Sequence, residues 1–222
     1  MVAAYLSDSQ GEWQPAEGDW LGVVGPVQPG QPVEITLGWQ VGDYAYVCSD
    51  PAGDFTLGSN PFGPVDLRSL AMAFTPQALI VRVKVSQPLP TQVVQTDGDR
   101  VLKMGYWVAL DQDQNPNTGD TSSGGAESLL AFNLDMEHQG VDVYLFYGPT
   151  GIEEPEDQRY ASFDRGMLLA GGPGSDYVLA AYPVQPAGLP TGMTFNLEGA
   201  VEAESETLHH YSFDAIGGCP AQ

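Results

Sequence analysis

Leu102-Lys-Met-Gly-Tyr-Trp-Val-Ala-Leu110 runs without a break into Asp111-Gln-Asp-Gln-Asn-Pro-Asn-Thr-Gly-Asp120. In the first stretch Leu102, Met104, Tyr106, Val108 and Leu110 alternate with Lys103, Gly105, Trp107 and Ala109. A period of two is that of a strand with one face against a core. The abrupt change to Asp, Asn, Pro and Gly marks the loop that ends it.

The same alternation recurs on both sides. Ala78-Leu-Ile-Val-Arg-Val-Lys-Val85 puts Leu79, Val81, Val83 and Val85 inward and Arg82 and Lys84 outward, and Val33-Glu-Ile-Thr-Leu-Gly-Trp39 lines up Val33, Ile35, Leu37 and Trp39. Further strands are expected over 129–134, 141–147, 177–182, 193–201 and 208–213. Turn chemistry separates them at Thr75-Pro-Gln, Gln87-Pro-Leu-Pro, Asp97-Gly, Gly171-Gly-Pro-Gly and Pro186-Ala-Gly. No long window shows a helical period, and Pro155 with its flanking acids makes 153–164 a loop. Short strands without helical crossovers predict an all-β fold with little helix, an antiparallel β-sandwich of jelly-roll or immunoglobulin-like two-sheet architecture. Residues 1–47 differ in grain, with Trp13, Trp20 and Trp39 and few strand signals. They are expected to form an N-terminal β extension that packs on or completes a sandwich of residues 48–222, because so few strands cannot bury a core alone.

Composition narrows the function classes. Seven Lys+Arg against 29 Asp+Glu give a formal net charge of −22, so nucleic acid and anionic membrane surfaces are poor partners. Such a charge repels itself, and bound cations relieve it; it equally suits a solvated acidic surface. No apolar run is long enough for a transmembrane helix, so no membrane insertion is expected. Met1-Val-Ala-Ala-Tyr-Leu-Ser-Asp8 lacks the parts of a signal peptide, so an exported protein would be represented by its mature or trimmed form. The two cysteines, Cys48 and Cys219, form no Cys-x-x-Cys motif. One early and one late, they suit a single disulfide in an oxidising compartment; two separate buried thiols are the other reading.

The loop after Leu110 carries the chemistry. Asp111, Asp113 and Asn115 stand at alternate positions, which lets a tightly curled loop aim successive oxygens at one point. A carbonyl near Asn117 adds a donor, and Asp120 or Glu127 closes the shell. All-oxygen donors of this kind suit Ca2+, whereas Mg2+ demands strict octahedral geometry and retained waters. The loop is not an EF-hand: the sixth position lacks glycine, and strands flank it. A plain polar hairpin loop is the competing reading, but carboxylates packed this closely repel one another without a cation.

The order Asp50-Pro-Ala-Gly-Asp54, Val65-Asp-Leu-Arg-Ser-Leu70, Phe74-Thr-Pro-Gln-Ala-Leu-Ile-Val-Arg-Val83, Tyr106-Trp-Val-Ala-Leu-Asp-Gln-Asp-Gln-Asn-Pro-Asn-Thr-Gly119 and Gly125-Ala-Glu127 resembles the DOMON-like β-sandwiches, similar to carbohydrate-binding module family 9. The likeness covers roughly residues 48 to 215, and its most specific part is the loop followed by Gly-Ala-Glu. It implies a secreted or surface-attached sandwich with a structural metal, held by Asp111, Asp113, Asn115, Asp120 and Glu127. Asp50, Asp54 and Asp66 match a recurrent acidic pattern, as ligands or as turn-formers.

Other chemistry is thinner. Trp13, Trp20 and Trp107 are candidates for a sugar-stacking surface, although tryptophan more often packs in a core. Some DOMON-like proteins bind haem through His and Met, but His138, His209, His210, Met72 and Met104 form no pattern. No Gly-x-Ser-x-Gly, His-Glu-x-x-His or P-loop pattern occurs, so no enzyme is expected. The sequence therefore reads as a calcium-stabilised extracellular or cell-surface binding or adhesion module, with carbohydrate as a candidate ligand. The alternative is a structural subunit of a surface layer or filament, joined to neighbouring subunits by strand addition.

The cysteine reading is directly testable. A Cys48–Cys219 disulfide closes so long a loop that it restricts the unfolded chain by on the order of 5 kcal/mol in the entropic model. Non-reducing alkylation followed by intact mass should find no modified thiol; two modified thiols in the folded protein would refute the pairing.

Overall fold

The computed structural model describes residues 1–6, 14–25, 27–51, 53, 66–96, 99–120, 125–138, 140–149, 160–183, 196–205 and 212–217. The elements are β1 (Val2–Leu6), β2 (Trp20–Val24), β3 (Trp39–Gln40), β4 (Tyr46–Ser49), β5 (Leu67–Phe74), β6 (Ala78–Val85), β7 (Val94–Thr96) and β8 (Asp99–Asp111). They continue with β9 (Ser128–Asp135), β10 (Gly140–Pro149), β11 (Tyr160–Arg165), β12 (Met167–Gly171), β13 (Tyr177–Pro183), β14 (Asn196–Ser205) and β15 (Ser212–Gly217). There is no helix among the described residues, hence none that could cross a membrane.

The strands form three antiparallel sheets instead of the expected two. A three-stranded sheet has the order β1-β2-β3, and a five-stranded sheet has β12-β13-β6-β5-β4. A seven-stranded sheet has β11-β10-β9-β8-β14-β15, with β7 also paired to β8. None of them closes.

The alternation within β6 explains the layering. Leu79, Val81, Val83 and Val85 join Leu70 and Met72 of β5 and Val178 and Tyr182 of β13 in a cluster with Met104, Tyr106, Val108, Leu110, Leu130, Phe132, Val143 and Leu145. The five- and seven-stranded sheets thus share one core. Tyr182 seals it, its hydroxyl donating to the Ala131 carbonyl at 3.2 Å. On the other face of β6, Ala78 and Ile80 pack with Ala73, Leu179 and Ala181 against Leu21, Val23, Trp39 and Val41. The outward face expected of β6 is therefore covered, and Arg82 lies 4.8 Å from the centroid of the Tyr44 ring. A strand apolar on both faces at one end and cationic on one face at the other fits this half-covered position.

Several strand boundaries differ from expectation for identifiable reasons. Val33 to Leu37 form no ladder, and Val33 and Leu37 are exposed; only Trp39–Gln40 pair with β2. Leu102 is only half-buried and Val101 takes the core position, because the pairing of β8 with β14 shifts there: Glu204 faces Lys103 and Ser205 faces Val101. The extra residue is a β-bulge that reverses the facing of everything before it. Strand β11 occupies the end of the stretch read as a loop, while 151–159 lies outside the described residues. β4 straddles the boundary drawn at residue 47, its Tyr46 and Val47 pairing with Met72 and Ala71 of β5.

Tyr106 has no hydrogen-bond partner for its buried hydroxyl, and burial pushes its ionisation well above the ordinary tyrosine range. An unsatisfied buried hydroxyl costs on the order of 1 kcal/mol or more. Tyr106→Phe should therefore raise the urea midpoint at unchanged slope; a lowered midpoint would mean that the hydroxyl has a partner.

Candidate metal centre

The β8–β9 hairpin builds the site. Its register pairs Tyr106 with Phe132, Val108 with Leu130 and Leu110 with Ser128. Just beyond the last pair, the Glu127 amide donates to the Leu110 carbonyl at 3.0 Å, which brings Glu127 close to Asp111. Like charges set close together across a strand pair oppose folding. Asp111 is nevertheless buried at 2% exposure, directly after Leu110, the last core residue of β8.

The loop then folds Asp113 back onto this pair. One carboxylate oxygen from each of Asp111, Asp113 and Glu127 lies within 4.8 Å of the others, so the trio can hold a metal ion. Asp113 is exposed and Glu127 half-buried, leaving the group open on one side. Amides organise it: the Asn115 N–H points at Asp111 Oδ1 at 3.0 Å and Asp113 Oδ1 at 2.9 Å, and the Gln112 N–H donates to Glu127 Oε2 at 2.6 Å. Thr118 Oγ1 lies 2.9 Å from both Asp113 Oδ2 and the Asn115 carbonyl, either of which can take its proton. Gln112 Nε2 donates to Ser128 Oγ at 2.8 Å, tying the loop to the first residue of β9.

Two glycines make the fold of the loop possible. Gly119 has φ of 59° and Gly125 φ of 88°. A Cβ on the first would lie 2.5 Å from the Ala126 carbonyl oxygen, and one on the second 2.6 Å from that of Asn115. The loop closes on its own backbone at these points, where no side chain fits. The bridge between Asp120 and Ala126 completes the closure.

Of the residues expected as ligands, the structure gathers Asp111, Asp113 and Glu127. Asp120 is buried, but its carboxylate is not one of the trio. Asn115 directs its side-chain oxygen to the Asn117 amide at 3.2 Å, and Asn117 is exposed. Asp66 accepts the Gly53 N–H at 3.0 Å, and Asp50 donates its backbone N–H to the Arg68 carbonyl. Trp20 is 46% exposed on β2, and Trp107 is half-buried on β8. Met72 and Met104 are core residues, whereas His138 is 75% exposed in the turn after β9, 2.8 Å from Asp135. Cys48 is half-buried in β4 against the main core. Trp13, Asp54, His209, His210 and Cys219 lie outside the described residues. The supporting roles of Gln112 and Ser128 left no mark in the sequence beyond their places beside the acids.

Burial, foremost, raises the Glu127 carboxyl above the ordinary range, and the charges of Asp113 and Asp111 add to it; the Gln112 N–H works in the opposite direction. A folded-state value above the unfolded one means that the native protein holds the extra proton between the two. Stability contributed by Glu127 in the metal-free protein therefore falls as pH rises through that window. Glu127→Gln should raise the neutral-pH melting temperature in chelator and flatten this dependence. It should lower the melting temperature in a divalent cation that binds. A variant less stable than the parent in chelator would show that Glu127 is not under electrostatic strain.

Comparison with family models, with curated proteins and with solved structures finds no match.

Proposed function

We propose that the chain is a calcium-stabilised, non-catalytic binding or adhesion module that works outside the cell or at its surface. In this reading the five- and seven-stranded sheets form a β-sandwich, with residues 1–47 an extension on its back. The observation that carries the proposal is the convergence of Asp111, Asp113 and Glu127 at the end of the core hairpin. Three carboxylates and the nearby carbonyls are hard oxygen donors, and an open, irregular loop tolerates the larger coordination shell of calcium better than the octahedron of magnesium. The similarity of the loop to DOMON-like proteins points the same way. A metal at this position neutralises the loop and locks one end of β8 to β9, a structural task.

One observation favours a second reading. The exposed large apolar residues among those described, Val2, Leu6, Trp20, Val33 and Leu37, all belong to the N-terminal layer. A structural subunit that joins its neighbours through this layer would use them; filaments or oligomers in size-exclusion chromatography and negative-stain images would support it over a monomeric module.

Calcium that binds only the folded state adds RT ln(1+[L]/Kd), about 2.7 kcal/mol at a hundredfold excess over Kd. Chelation should lower the melting temperature accordingly, with poor rescue by magnesium. Asp111→Ala and Asp113→Ala should each abolish most of the calcium response. A melting curve indifferent to chelator and to both variants would reduce the loop to a plain turn.

A further inference from the structure

Granted the binding-module reading, we infer that the outer face of the N-terminal layer docks a protein partner, through an amphipathic segment that carries lysine or arginine beside its apolar side chains. The ladder places the surface. Leu6 faces Trp20 and Trp20 faces Gln40, a row across the three-stranded sheet. Leu21, Val23 and Trp39 are buried toward the five-stranded sheet, with Ala3 and Tyr5 packed beside them. Leu6, Trp20 and Gln40 alternate with these residues and so belong to the opposite face. Leu6 is 60% and Trp20 46% exposed there.

Residues 33–37 complete this face instead of extending the ladder. Gly22 stands between the inward Leu21 and Val23, so a Cβ on it would point outward. That atom would clash with the Thr36 carbonyl oxygen and lie 2.7 Å from Ile35 Cγ2. The chain therefore crosses directly over Gly22, where any side chain would hold it off. The Gly38 N–H, donating to the Leu21 carbonyl at 3.2 Å, anchors the crossing. It carries Val33 and Leu37, both exposed, onto the same side as Leu6 and Trp20. Val2, paired with Val24 on the same strands, is the remaining large apolar residue exposed among those described. Single apolar residues scattered on a surface need no explanation, but a group gathered on one face marks an interaction site.

Charge selects the partner. No lysine or arginine precedes Arg68 in the chain, so the layer holds no side-chain cation of its own. Glu34 lies in the crossing segment and is exposed, as is Glu17. Glu17 borders the other end of the row, its Cγ 3.3 Å from where a Cβ on Gly42 would stand, two residues beyond Gln40. The apolar row thus has carboxylates on both sides. A second copy of the chain would bring the same acids and a formal net charge of −22, and an anionic lipid surface would be repelled in the same way. A protein segment whose apolar side chains cover Leu6, Trp20 and Leu37 while its cations meet Glu17 and Glu34 complements both halves of the surface.

Fluorescence anisotropy of a labelled synthetic peptide in which lysine alternates with valine, titrated with the whole chain in calcium, tests the surface. The peptide should bind, and more weakly as salt rises. Trp20→Ala and Leu6→Ser should each weaken binding by about tenfold. Glu34→Gln should weaken it less, and Asp142→Asn on the seven-stranded sheet should leave it unchanged. Peptides with glutamate in place of lysine, or serine in place of valine, should not bind. Circular dichroism and the calcium-dependent melt report whether each variant is folded, and Trp20→Ala carries the test if Leu6→Ser is not. Failure of the peptide to bind at millimolar concentration overturns the surface, as does binding indifferent to both Leu6 and Trp20. Equal binding of the serine peptide overturns it too, since that is only a polycation drawn to an acidic chain. A dimer or filament that depends on Trp20 would assign the face to a second copy, against the inference. A calcium-dependent melt that persists in any of these cases leaves the metal site standing, so the two failures are distinguishable.

Discussion

The register between β8 and β9 fixes three things at once. It packs Tyr106 against Phe132 inside the core, turns Trp107 beside Ala131 to the outer face, and brings Asp111 close to Glu127 where the ladder ends. A slip by one residue would send Tyr106 outward, bury Trp107 and part the two acids. Burial of the Tyr106 face against the five-stranded sheet prevents that slip, so the hydrophobic core is what forces the carboxylates together. Their repulsion is a consequence of the register, and any cation that relieves it stabilises the same hairpin that organises the core.

The middle position of the five-stranded sheet follows from strands that carry two apolar faces. Leu79 and Ile80 are neighbours in sequence and lie in different hydrophobic clusters, as do Val178 and Leu179. The N-terminal layer meets one of these faces through Leu21, Val23, Trp39 and Val41, and leaves its own outer face apolar. Acidic residues outnumber basic ones 29 to 7, and several of those described do structural work. Asp111, Asp113 and Glu127 converge, Asp66 holds the Gly53 amide, and Asp135 caps the turn after β9 by accepting the Glu137 and His138 amides.

Much of this was legible in the sequence wherever burial is one-sided and the ladder regular. The core-facing sides of β6 and most of β8 follow from a period of two, β9 and β10 lie where strands were expected, and the Asp111/Asp113 spacing marks the loop. Non-local geometry was not legible. Nothing near Leu102 announces a bulge that is set by pairing with Glu204 and Ser205. The exposed segment from Val33 to Leu37 has a strand's alternation but makes no ladder, since Trp39–Gln40 alone meets β2. Glu127 could be named beside Asp120 only as an acid able to close the shell, and through the likeness of Gly125-Ala-Glu127 to a family pattern. That Asp120 stays out of the trio, and that Asn115 spends its side-chain oxygen on Asn117, depends on how the loop closes over Gly119 and Gly125.

Backbone amide NMR during a calcium titration tests the central claim most directly, because it reads the loop residue by residue. The account predicts that a single equivalent of calcium saturates shifts at Gln112, Asn115, Thr118 and Glu127, with smaller shifts down β8 and β9 and none at Ala3 or Val23. Shifts spread over the acidic surface without saturation, or a loop that stays silent, would contradict it.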